Sequence, residues 1–483
     1  MNSRLKLQSA AILILAATAT AIAGPLNPPA GAVTSTMKTL FEVEPRIAIN
    51  SLNTPSGGGA QYRITQPGSY YLTSNLEVTN IQHGIQIDLN TDGLVTIDLN
   101  GFSIIGREDT LNGIDVDAPF TPRVVIRNGF VTMFGGNGID MTGTENATIE
   151  NVQSTRNGGK GFIIDAGSLA DCKAQFNSAG GFKVGDGASL TACEAVTTGL
   201  GIEAGTECRL VDCTVKGSNT HGIRAANNAV LTRCIAMNNT GTGIYVDLGC
   251  TVRDCVGAEN GSAGISTNQL CTITGCTARS NSQWGITAVN STLEGCSTRD
   301  NTLAGFSVSY CMVRGCASNA NGDVGYGLGA HSTLIDSSAQ GNTAAGAYGG
   351  GNCHIVNCHF SYNYGHGISL VSDDNLVKGN HCVGNGNGPG GAQSGAGIHV
   401  SGSDSRIEDN QCSDGDWGIY VVTGQRNVIV SNSSSGNTLN WNIGPNNSYG
   451  PVIDRSAPVN AGFTGNAAAT QLGTTDPNAN FTN

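Results

Sequence analysis

Residues 292–309 read TLEGCSTRDNTLAGFSVS, and this stretch contains the pattern that recurs through most of the chain. Short runs of apolar and β-branched residues alternate with Gly, Asn and Asp, which favour tight turns. No apolar period of 3.6 residues is sustained there, so the pattern does not indicate a helical repeat. We predict two or three short strands in this stretch, with Leu293, Cys296, Phe306 and Val308 facing inward.

A glycine followed by an apolar residue, as in Gly305-Phe306, recurs along most of the chain. Most steps between these anchors are about 21 residues long, a spacing typical of a repeat protein in which no unit can bury its apolar face alone. The anchor glycines are Gly84, Gly113, Gly138, Gly161, Gly181, Gly201, Gly222, Gly243, Gly264, Gly285, Gly305, Gly327, Gly346, Gly367, Gly397 and Gly418.

The repeat length and the strand signals predict an all-β fold of about 16 coils of parallel strands, in which equivalent residues stack in columns. Two columns consist of residues that can hydrogen-bond, and an Asn also tolerates the left-handed conformation of a tight turn. The first runs through Asn128, Asn151, Cys172, Cys193, Cys213, Cys234, Cys255, Cys276, Cys296, Cys316, Ser337, Cys358, Asn380, Asn410 and Asn432. The second runs through Asn177, Asn239, Asn260, Asn281, Asn301, Asn321, Asn342, Asn363, Asn385 and Asn437.

Several segments resemble the repeats and the ends of known proteins. The segments LVKGNHCVGNG (376–386), GAGIHV (395–400) and RIEDNQCSDGDWGIYV (406–421) resemble the coils of right-handed parallel β-helix proteins, the architecture of pectate lyases and polygalacturonases. Residues 64–78 and 95–106 look like the first coils of secreted bacterial β-helix proteins, a group without a settled activity. Residues 34–50 resemble the segment before those coils, and residues 449–481 resemble the ending. The resemblance covers most of the chain and implies a right-handed, single-stranded parallel β-helix.

The sequence outside the repeats predicts export and covered ends. Arg4 and Lys6, the apolar run AAILILAATATAIA (10–23) and its final Ala-Ile-Ala indicate a cleaved signal peptide over 1–23. Residues 35–44 predict a short amphipathic helix that caps the first coil or mediates oligomerisation. We therefore expect a secreted, periplasmic or cell-surface protein without a transmembrane segment. The predicted divisions are 1–23 signal peptide, 24–60 cap segment and linker, 61–440 β-helix, and 441–483 covering segment with a polar tail.

The charge of the chain argues against a nucleic-acid partner. The sequence has 24 Lys and Arg against 36 Asp and Glu, a net charge of −12. Without Arg4 and Lys6 there are 22 basic against 36 acidic residues, which gives −14. Binding of nucleic acid or anionic lipid requires clustered Lys and Arg. A strongly anionic polysaccharide is also disfavoured unless a cation bridges the contact.

The 16 cysteines include five Cys-x4-Cys pairs, such as CTITGC (271–276), and this spacing also occurs in zinc sites. The second Cys of each pair nevertheless belongs to the first column, in which Cys193, Cys234 and Cys296 have no such partner before them. The pattern favours buried structural thiols, because Cys packs as a small hydrophobe. Some disulfides remain an alternative in an exported protein, and a metal site is a third.

Catalytic candidates are few. His366 in YGHGISL resembles the Gly-His-Gly element of polygalacturonases, and Asp373-Asp374 is the only acidic pair that matches another part of that family's set. His83 and His221 precede the glycine anchor in the same way, which indicates a turn position instead. The resemblance to pectate lyases would imply Ca²⁺ as a cofactor, and otherwise no cofactor is expected.

The candidate binding residues lie around the longest step in the repeat. The Gly-rich segment 384–395 lengthens the step from Gly367 to Gly397, and loops on rigid scaffolds often carry function. Residues of the adjacent coils combine rings and carboxylates, as carbohydrate sites do. These candidates are Tyr362, Tyr364, His366, Asp414, Asp416 and Trp417. His359 and His381, each directly after the first column, are candidates for a metal site or for stacking.

Taken together, the sequence predicts an exported β-helix protein that binds a polysaccharide, a cell-surface glycan or another partner without catalysis. The absence of a complete catalytic set favours this hypothesis. The alternative is a polysaccharide lyase, an epimerase or a glycoside hydrolase that acts on a uronic-acid polymer, and it depends on fold analogy alone.

Overall fold

The computed structural model describes residues 44–118, 121–144, 146–197, 199–386, 395–455 and 475–482. The chain divides into two units, residues 1–45 and residues 46–483, and nearly all of the described residues belong to the second. Within the described residues the fold is a parallel β-solenoid without a helix. The predicted signal peptide lies outside the described residues, and so does the predicted helix at 35–44 except for its last residue, which is not helical.

Each coil contributes three short strands, which stack on the strands of the next coil in three columns. The first and second columns form one 36-stranded sheet, and the third column forms a second sheet of 18 strands. Pairing between coils is parallel and residue for residue, so that Ile286 lies opposite Phe306 and Thr287 opposite Ser307. Two strands, Arg123–Thr132 and Asn146–Thr155, are long enough to run through both the first and the second column.

The bounds of the strands are as follows. The first column contains Ile47–Ala48, Gly68–Tyr71, Leu94–Asp98, Arg123–Thr132, Asn146–Thr155, Gly167–Ala170, Ser189–Thr191, Arg209–Val211, Val230–Thr232, Thr251–Arg253, Thr272–Thr274, Thr292–Glu294, Met312–Arg314, Thr333–Ile335, His354–Val356, Leu376–Lys378, Arg406–Glu408, Val428–Val430 and Ser448–Tyr449. The second adds Leu76–Glu77, Ser103–Ile105, Lys173–Gln175, Glu194–Val196, Thr214–Lys216, Ile235–Met237, Val256–Ala258, Thr277–Arg279, Ser297–Arg299, Ala317–Asn319, Ser338–Gln340, His359–Ser361, His381–Val383, Gln411–Ser413, Ser433–Ser435 and Asn480–Thr482, with Val452–Asp454 paired to the last. The third contains Ala60–Ile64, His83–Ile87, Ile114–Val116, Ile139–Met141, Lys160–Ile164, Gly180–Val184, Leu200–Ala204, Ile223–Ala225, Ile244–Val246, Ile265–Thr267, Ile286–Val289, Phe306–Ser309, Tyr326–Leu328, Ala347–Gly349, Ile368–Leu370, Ala396–Val400, Trp417–Val421 and Leu439–Ile443.

The predicted number of coils was slightly low. The third column has 18 strands rather than 16, because the register adds Ala60–Ile64 before the first anchor and Leu439–Ile443 after the last. The anchor glycine is replaced there by Gln61 and by Asn440, so the sequence pattern did not include these coils. Strands also extend to Ile47 and to Thr482, beyond the expected β-helix limits of 61 and 440.

One predicted anchor was wrong. Phe306 pairs with Tyr326, so the anchor of that coil is Gly325 and not Gly327. With this correction the two steps between Gly305 and Gly346 become nearly equal. The anchor must be glycine because the chain passes close to other atoms there. A Cβ atom on Gly305 would overlap the hydroxyl oxygens of Ser318 and Thr298.

The columns of polar residues satisfy the backbone at the corners of the coils. Oδ1 of Asn321 accepts hydrogen bonds from the backbone N–H of Asn301 (3.1 Å) and from its side-chain amide (2.9 Å). The amide of Asn301 also donates to the carbonyl of Ala278 in the preceding coil at 3.1 Å. Asn therefore acts as both donor and acceptor along the ladder, and the buried backbone groups at these corners have partners.

Cys, Ser and Asn replace one another because all three can accept and donate at the same position. The N–H of Cys296 donates to Sγ of Cys316, that of Cys316 to Oγ of Ser337, and that of Cys358 to Oδ1 of Asn380. The same geometry forms another column, which includes the first Cys of each Cys-x4-Cys pair. It contains Cys208, Cys250, Cys271, Ser291, Cys311, Ser332, Cys353, Asn375, Ser405, Asn427 and Asn447.

Two details of the predicted columns were wrong. In the two coils before Cys172, the ladder position is occupied by Gly129 and Val152, which pair with each other. Asn128 and Asn151 therefore lie one position before the ladder. The left-handed conformation likewise belongs to the residue before the ladder position and not to the ladder residue itself. Asp300, before Asn301, has φ 55°, and Ala320, before Asn321, has φ 51°.

All 16 cysteines are buried and unpaired, which confirms the predicted thiol core and excludes disulfides in this structure. Most of the thiols donate weakly to backbone carbonyls, as Cys276 does to Val252 and Thr274 at 3.4 Å. The described residues contain no group of three or more His, Cys, Asp or Glu side chains that could hold a metal ion. The Cys-x4-Cys pairs therefore belong to the core.

We predict that removal of one Asn from the ladder destabilises the fold markedly. Asn301→Ala leaves the N–H of Asn281 and the carbonyl of Ala278 without these partners. Loss of partners by buried polar groups costs about 2 kcal/mol or more in the free energy of unfolding. The matched control is Asn319→Ala, which changes an outward, half-exposed side chain of the next coil. Urea unfolding followed by circular dichroism measures both, and equal midpoints for the two variants would contradict the role of the ladder.

We also predict that the thiols of the native protein are unreactive. All of the thiols are buried and therefore inaccessible. Burial also raises the pKa of Cys311, and it raises the pKa of Cys358 to about 12, so the nucleophilic thiolate is scarce at these two positions. Ellman's reagent should modify few of the 16 thiols before unfolding and all of them in denaturant. Rapid modification of most thiols in the native protein would rule out a buried ladder.

Candidate functional site

The outward side of the third column changes character along the solenoid. The outward residue of each coil lies two positions after the anchor, and the paired strands place these residues in one row. Toward the N-terminal end the row contains charged residues that pair with other coils, such as Glu203 with Lys160 at 2.8 Å. From Tyr245 onward the row contains no Asp, Glu, Lys or Arg: Tyr245, Ser266, Thr287, Ser307, Gly327, Tyr348, Ser369, His399, Tyr420 and Asn442.

We call these outward residues, together with the residue before each anchor in the same coils, the uncharged face. The residues before the anchors are Thr242, Ala263, Trp284, Ala304, Val324, Ala345, His366, Ala396, Trp417 and Leu439. They contain no Asp, Glu, Lys or Arg either. At a strand spacing of about 4.8 Å, ten coils extend over roughly 43 Å. Thr242, Ala263, Ala304, Ala345 and Ala396 are buried, so the exposed part of this face consists mainly of the outward row.

The N-terminal half of the uncharged face contains a groove of about 630 Å³. The hydroxyl groups of Ser266, Thr287 and Ser307 line it, and so do Tyr245 and Tyr348 from the coils at its two ends. Hydroxyl groups both donate and accept hydrogen bonds, and aromatic rings provide flat apolar surface. The groove thus offers the contacts that a sugar ring requires.

Gly327 leaves the groove open beside Tyr348. A Cβ atom at Gly327 would meet no atom closer than 3.5 Å, so the backbone packing does not require glycine at this position. Tyr348 pairs with Gly327 in the preceding coil and is 43% exposed. A larger residue at position 327 would occupy space in the groove next to the tyrosine ring.

The C-terminal half of the uncharged face contains four packed rings, which we call the aromatic cluster. His366 stacks on His399 with ring centroids 4.3 Å apart, and His399 meets Tyr420 edge-on at 5.5 Å. Tyr420 in turn stacks on Trp417 at 4.5 Å. These rings come from three successive coils. The cluster therefore extends the apolar surface of the groove toward the C-terminal end.

The structure brings together only part of the predicted binding set. His366 and Trp417 lie in the aromatic cluster, whereas Tyr362 and Asp414 lie at the corner after the second column with left-handed φ values of 53° and 58°. Tyr362 covers Gly384 of the next coil, and Asp414 in the same way covers Gly436. These two side chains are thus part of a corner column rather than of the cluster.

Tyr364 and Asp416 lie in the turns between that corner and the third column. Tyr364 is 42% exposed, and Oδ2 of Asp416 accepts a hydrogen bond from the N–H of Gly395 at 3.3 Å. The predicted Gly-rich loop 384–395 lies between them in the sequence. Its residues 387–394 are outside the described residues.

Three histidines before the anchors share a structural role. Nδ1 of His366 accepts the N–H of Ala396 at 2.9 Å, and Nδ1 of His221 accepts that of Thr242 at 3.3 Å. Nδ1 of His83 accepts the N–H of Asn112 at 3.2 Å. Burial and then the proximity of His399 lower the pKa of His366 to about 4. His366 is therefore a neutral hydrogen-bond acceptor near pH 7, and its Nδ1 is occupied.

The catalytic candidates do not form a constellation. Asp373 and Asp374 follow the strand Ile368–Leu370, whereas His366 precedes it, so the acids and the imidazole lie at opposite ends of that strand. Oδ1 of Asp373 accepts the N–H of Ser403 at 2.7 Å, and Asp374 is the left-handed residue of its corner, with φ 63°. Their contacts are those of turn residues.

His359 and His381 are directly paired in the second column, with ring centroids 5.0 Å apart and planes inclined by 50°. This pair lies on a different column from the uncharged face. Burial and then the proximity of His359 lower the pKa of His381. As predicted, His359 and His381 directly follow the ladder residues Cys358 and Asn380.

His399 and Tyr420 were not among the predicted site residues. Both lie two residues after an anchor, in the same row as Tyr245, so the row could have been followed to them from the repeat alone. Their packing against His366 and Trp417 could not be predicted in the same way. The contact of His366 with His399 depends on how the residue before one anchor leans toward the outward row of the next coil, as His221 also does toward Tyr245. Trp417 and Tyr420, by contrast, belong to one strand.

Comparison with known proteins agrees with the fold. The family described as right handed beta helix region matches residues 266–434 and 329–483. The match covers the C-terminal part of the chain and agrees with the parallel coils of the structure. No curated protein matches the sequence. Among the described residues, no helix could span a membrane.

Solved structures that resemble the chain are also β-helix proteins with low identity. The periplasmic alginate epimerase AlgG is 12% identical over 78% of this chain and 81% of its own, with a TM-score of 0.30. The A-module of the Azotobacter vinelandii mannuronan C-5 epimerase AlgE6 is 11% identical over 79% and 89%, with a TM-score of 0.30. The receptor-binding tailspike of bacteriophage Det7 is 12% identical over 74% and 72%, with a TM-score of 0.33. Similarity at this level assigns no activity to the chain.

We predict that His366 makes the stability depend on pH. Its pKa is about 4 in the folded protein and near the ordinary 6.5 in the unfolded chain, so between these values the unfolded chain binds more protons. The free energy of unfolding should therefore fall as the pH decreases from about 6.5 to about 4. His366→Asn should weaken this dependence, because Asn112 and Asn137 accept the same type of backbone hydrogen bond in other coils. Thermal unfolding between pH 4 and 7 tests this, with the exposed His354→Asn as the control.

Proposed function

We propose that the protein binds an uncharged carbohydrate along the uncharged face and does not catalyse its conversion. The observation that carries the proposal is the juxtaposition of the groove and the aromatic cluster on one face without a charged side chain in either row. Sugar rings present apolar C–H surfaces and hydroxyl groups, which aromatic rings and Ser or Thr hydroxyls complement.

The aromatic cluster supplies the stacking surface in this proposal. Trp417 and Tyr420 lie with their planes only 15° apart and are both half-buried, so their orientation is fixed before a ligand arrives. Fixed rings lose little conformational entropy on binding. Tyr364 and Tyr348, which are more exposed, would contact the ligand at the margins of the same surface.

The groove supports an uncharged rather than an acidic carbohydrate. An anionic sugar requires Arg, Lys or a bound cation to offset the loss of hydration of its carboxylates. The groove has none of these basic residues among its lining residues, and the described residues contain no cluster of acids that would hold Ca²⁺. A uronic-acid polymer, the substrate in the alternative hypothesis, therefore fits this face less well.

The proposal includes a location outside the cytoplasm. The predicted signal peptide over residues 1–23 supports export, and a secreted, periplasmic or cell-surface protein would meet polysaccharides there. N-terminal sequencing of protein from the native host would reveal whether cleavage follows Ala23.

We predict that substitutions on the uncharged face reduce binding of neutral oligosaccharides. A glycan array that includes neutral and uronic-acid chains identifies the ligand, and calorimetry then measures its affinity. Trp417→Ala removes the stacked indole and Gly327→Leu fills the groove, so each should weaken binding about tenfold or more, within the range of aromatic contacts at binding sites. The exposed Tyr449→Ala, in the first column, is the matched control.

Circular dichroism should show that Gly327→Leu retains the fold, because a Cβ atom meets no close neighbour there. Binding of neutral glycans that is unchanged in both variants would remove the uncharged face from consideration. Selective binding of uronic-acid chains, or their conversion into unsaturated products, would favour the enzymatic alternative.

A further inference from the structure

The histidine pair of the second column has free ring nitrogens. His359 and His381 lie at the first position of adjacent strands, His359–Ser361 and His381–Val383, and are paired directly. Within the part of the chain that the structure describes, neither imidazole has a hydrogen-bond partner. Both rings project from a sheet whose paired strands are about 4.8 Å apart, so the backbone holds the two histidines at adjacent positions.

The space around the pair is open and uncharged. The two imidazoles line a cavity of about 450 Å³ together with Gln340, Ser361 and Tyr362. No Lys, Arg, Asp or Glu is among its lining residues. An ion bound there could complete its coordination with water, and no cationic side chain in the cavity would repel it.

The separation of the rings suits two ligands of one metal ion. A metal–nitrogen distance of about 2.0–2.1 Å and ligand angles of about 90–110° place the centroids of two chelating imidazoles roughly 4.5–5.2 Å apart. The observed centroid separation is 5.0 Å. Because the planes are inclined by 50°, the lone pairs in those planes can converge on one point.

We propose that His359 and His381 form a surface site for one divalent transition-metal ion, with water as the remaining ligands. Imidazole nitrogens suit Cu²⁺, Ni²⁺ and Zn²⁺, whereas Ca²⁺ and Mg²⁺ require oxygen ligands. The site lies on the second column, and the uncharged face lies on the third. The inference therefore does not depend on the proposed carbohydrate binding.

The second histidine pair of the chain serves as an internal comparison. His366 and His399 are closer, at 4.3 Å, but their planes are inclined by only 6°, so their lone pairs lie in two nearly parallel planes and do not converge on one point. Nδ1 of His366 also accepts the N–H of Ala396, and Nδ1 of His399 is 3.4 Å from the hydroxyl of Ser369. Proximity of two histidines alone therefore does not make a metal site in this chain.

Calorimetric titration of the untagged full-length protein with NiCl₂ tests the proposal. We expect one equivalent of Ni²⁺ to bind, and we expect His359→Asn and His381→Asn each to weaken binding at least tenfold. His354→Asn is the matched control, since His354 is an exposed strand residue of the same coil as His359 and has no paired histidine. The control should bind Ni²⁺ as the unmodified protein does.

A second readout separates ligation from a change in fold. With Cu²⁺ as the probe, electron paramagnetic resonance should show two imidazole nitrogens bound to copper in the unmodified protein and in His354→Asn, and fewer in either pair variant. The circular dichroism spectra of all variants should coincide. Ni²⁺ binding that persists in the double variant H359N/H381N, or that is lost equally in His354→Asn, would overturn the proposal, and so would the absence of any binding.

Discussion

Equivalent residues of successive coils lie directly above one another at the strand spacing, and most other features of the fold follow from this stacking. At a buried corner of such a stack, every coil leaves the same backbone N–H and C=O groups to be hydrogen-bonded. The same kind of side chain is therefore needed at that corner in each coil. The Asn and Cys residues of the ladders meet this requirement by accepting an N–H from one neighbouring coil and donating to a carbonyl of the other. Ser337 also accepts an N–H from a neighbouring coil, but it donates to the carbonyl of Ile335 in its own coil. The low content of charged residues is a consequence, because the ladder positions and the core contain uncharged residues and only the outward rows can contain charged ones.

The same stacking converts single residues into surfaces. In one coil, the residue two positions after the anchor is a single outward side chain. In successive coils, such residues form a continuous row along the outside of the third column. This row is charged and ion-paired at one end and uncharged at the other, where the groove and the aromatic cluster lie. The histidine pair of the second column arises in the same way, from equivalent positions of two neighbouring coils.

Much of the fold could be predicted from the repeat, and the errors have identifiable causes. Gln61 and Asn440 replace the anchor glycine in the first and last coils, so a search for glycine missed both. Gly327 matches the anchor pattern because Leu328 follows it, although Tyr326, paired with Phe306, is the true inward residue. The candidate site was predicted less well, because Tyr362 and Asp414 turn out to be corner residues whose side chains cover glycines of the next coil.

Residue types that recur at a fixed interval were enough to specify the class of fold, the column of buried thiols and the turn role of His366, because each of these depends on the repeat alone. Which residues share a surface depends instead on the packing of one coil against the next. His366 packs against His399 because the turn before one strand leans toward the outward row of the following coil. The inclination of the His359 and His381 rings likewise depends on side-chain conformation, which a repeat length does not specify.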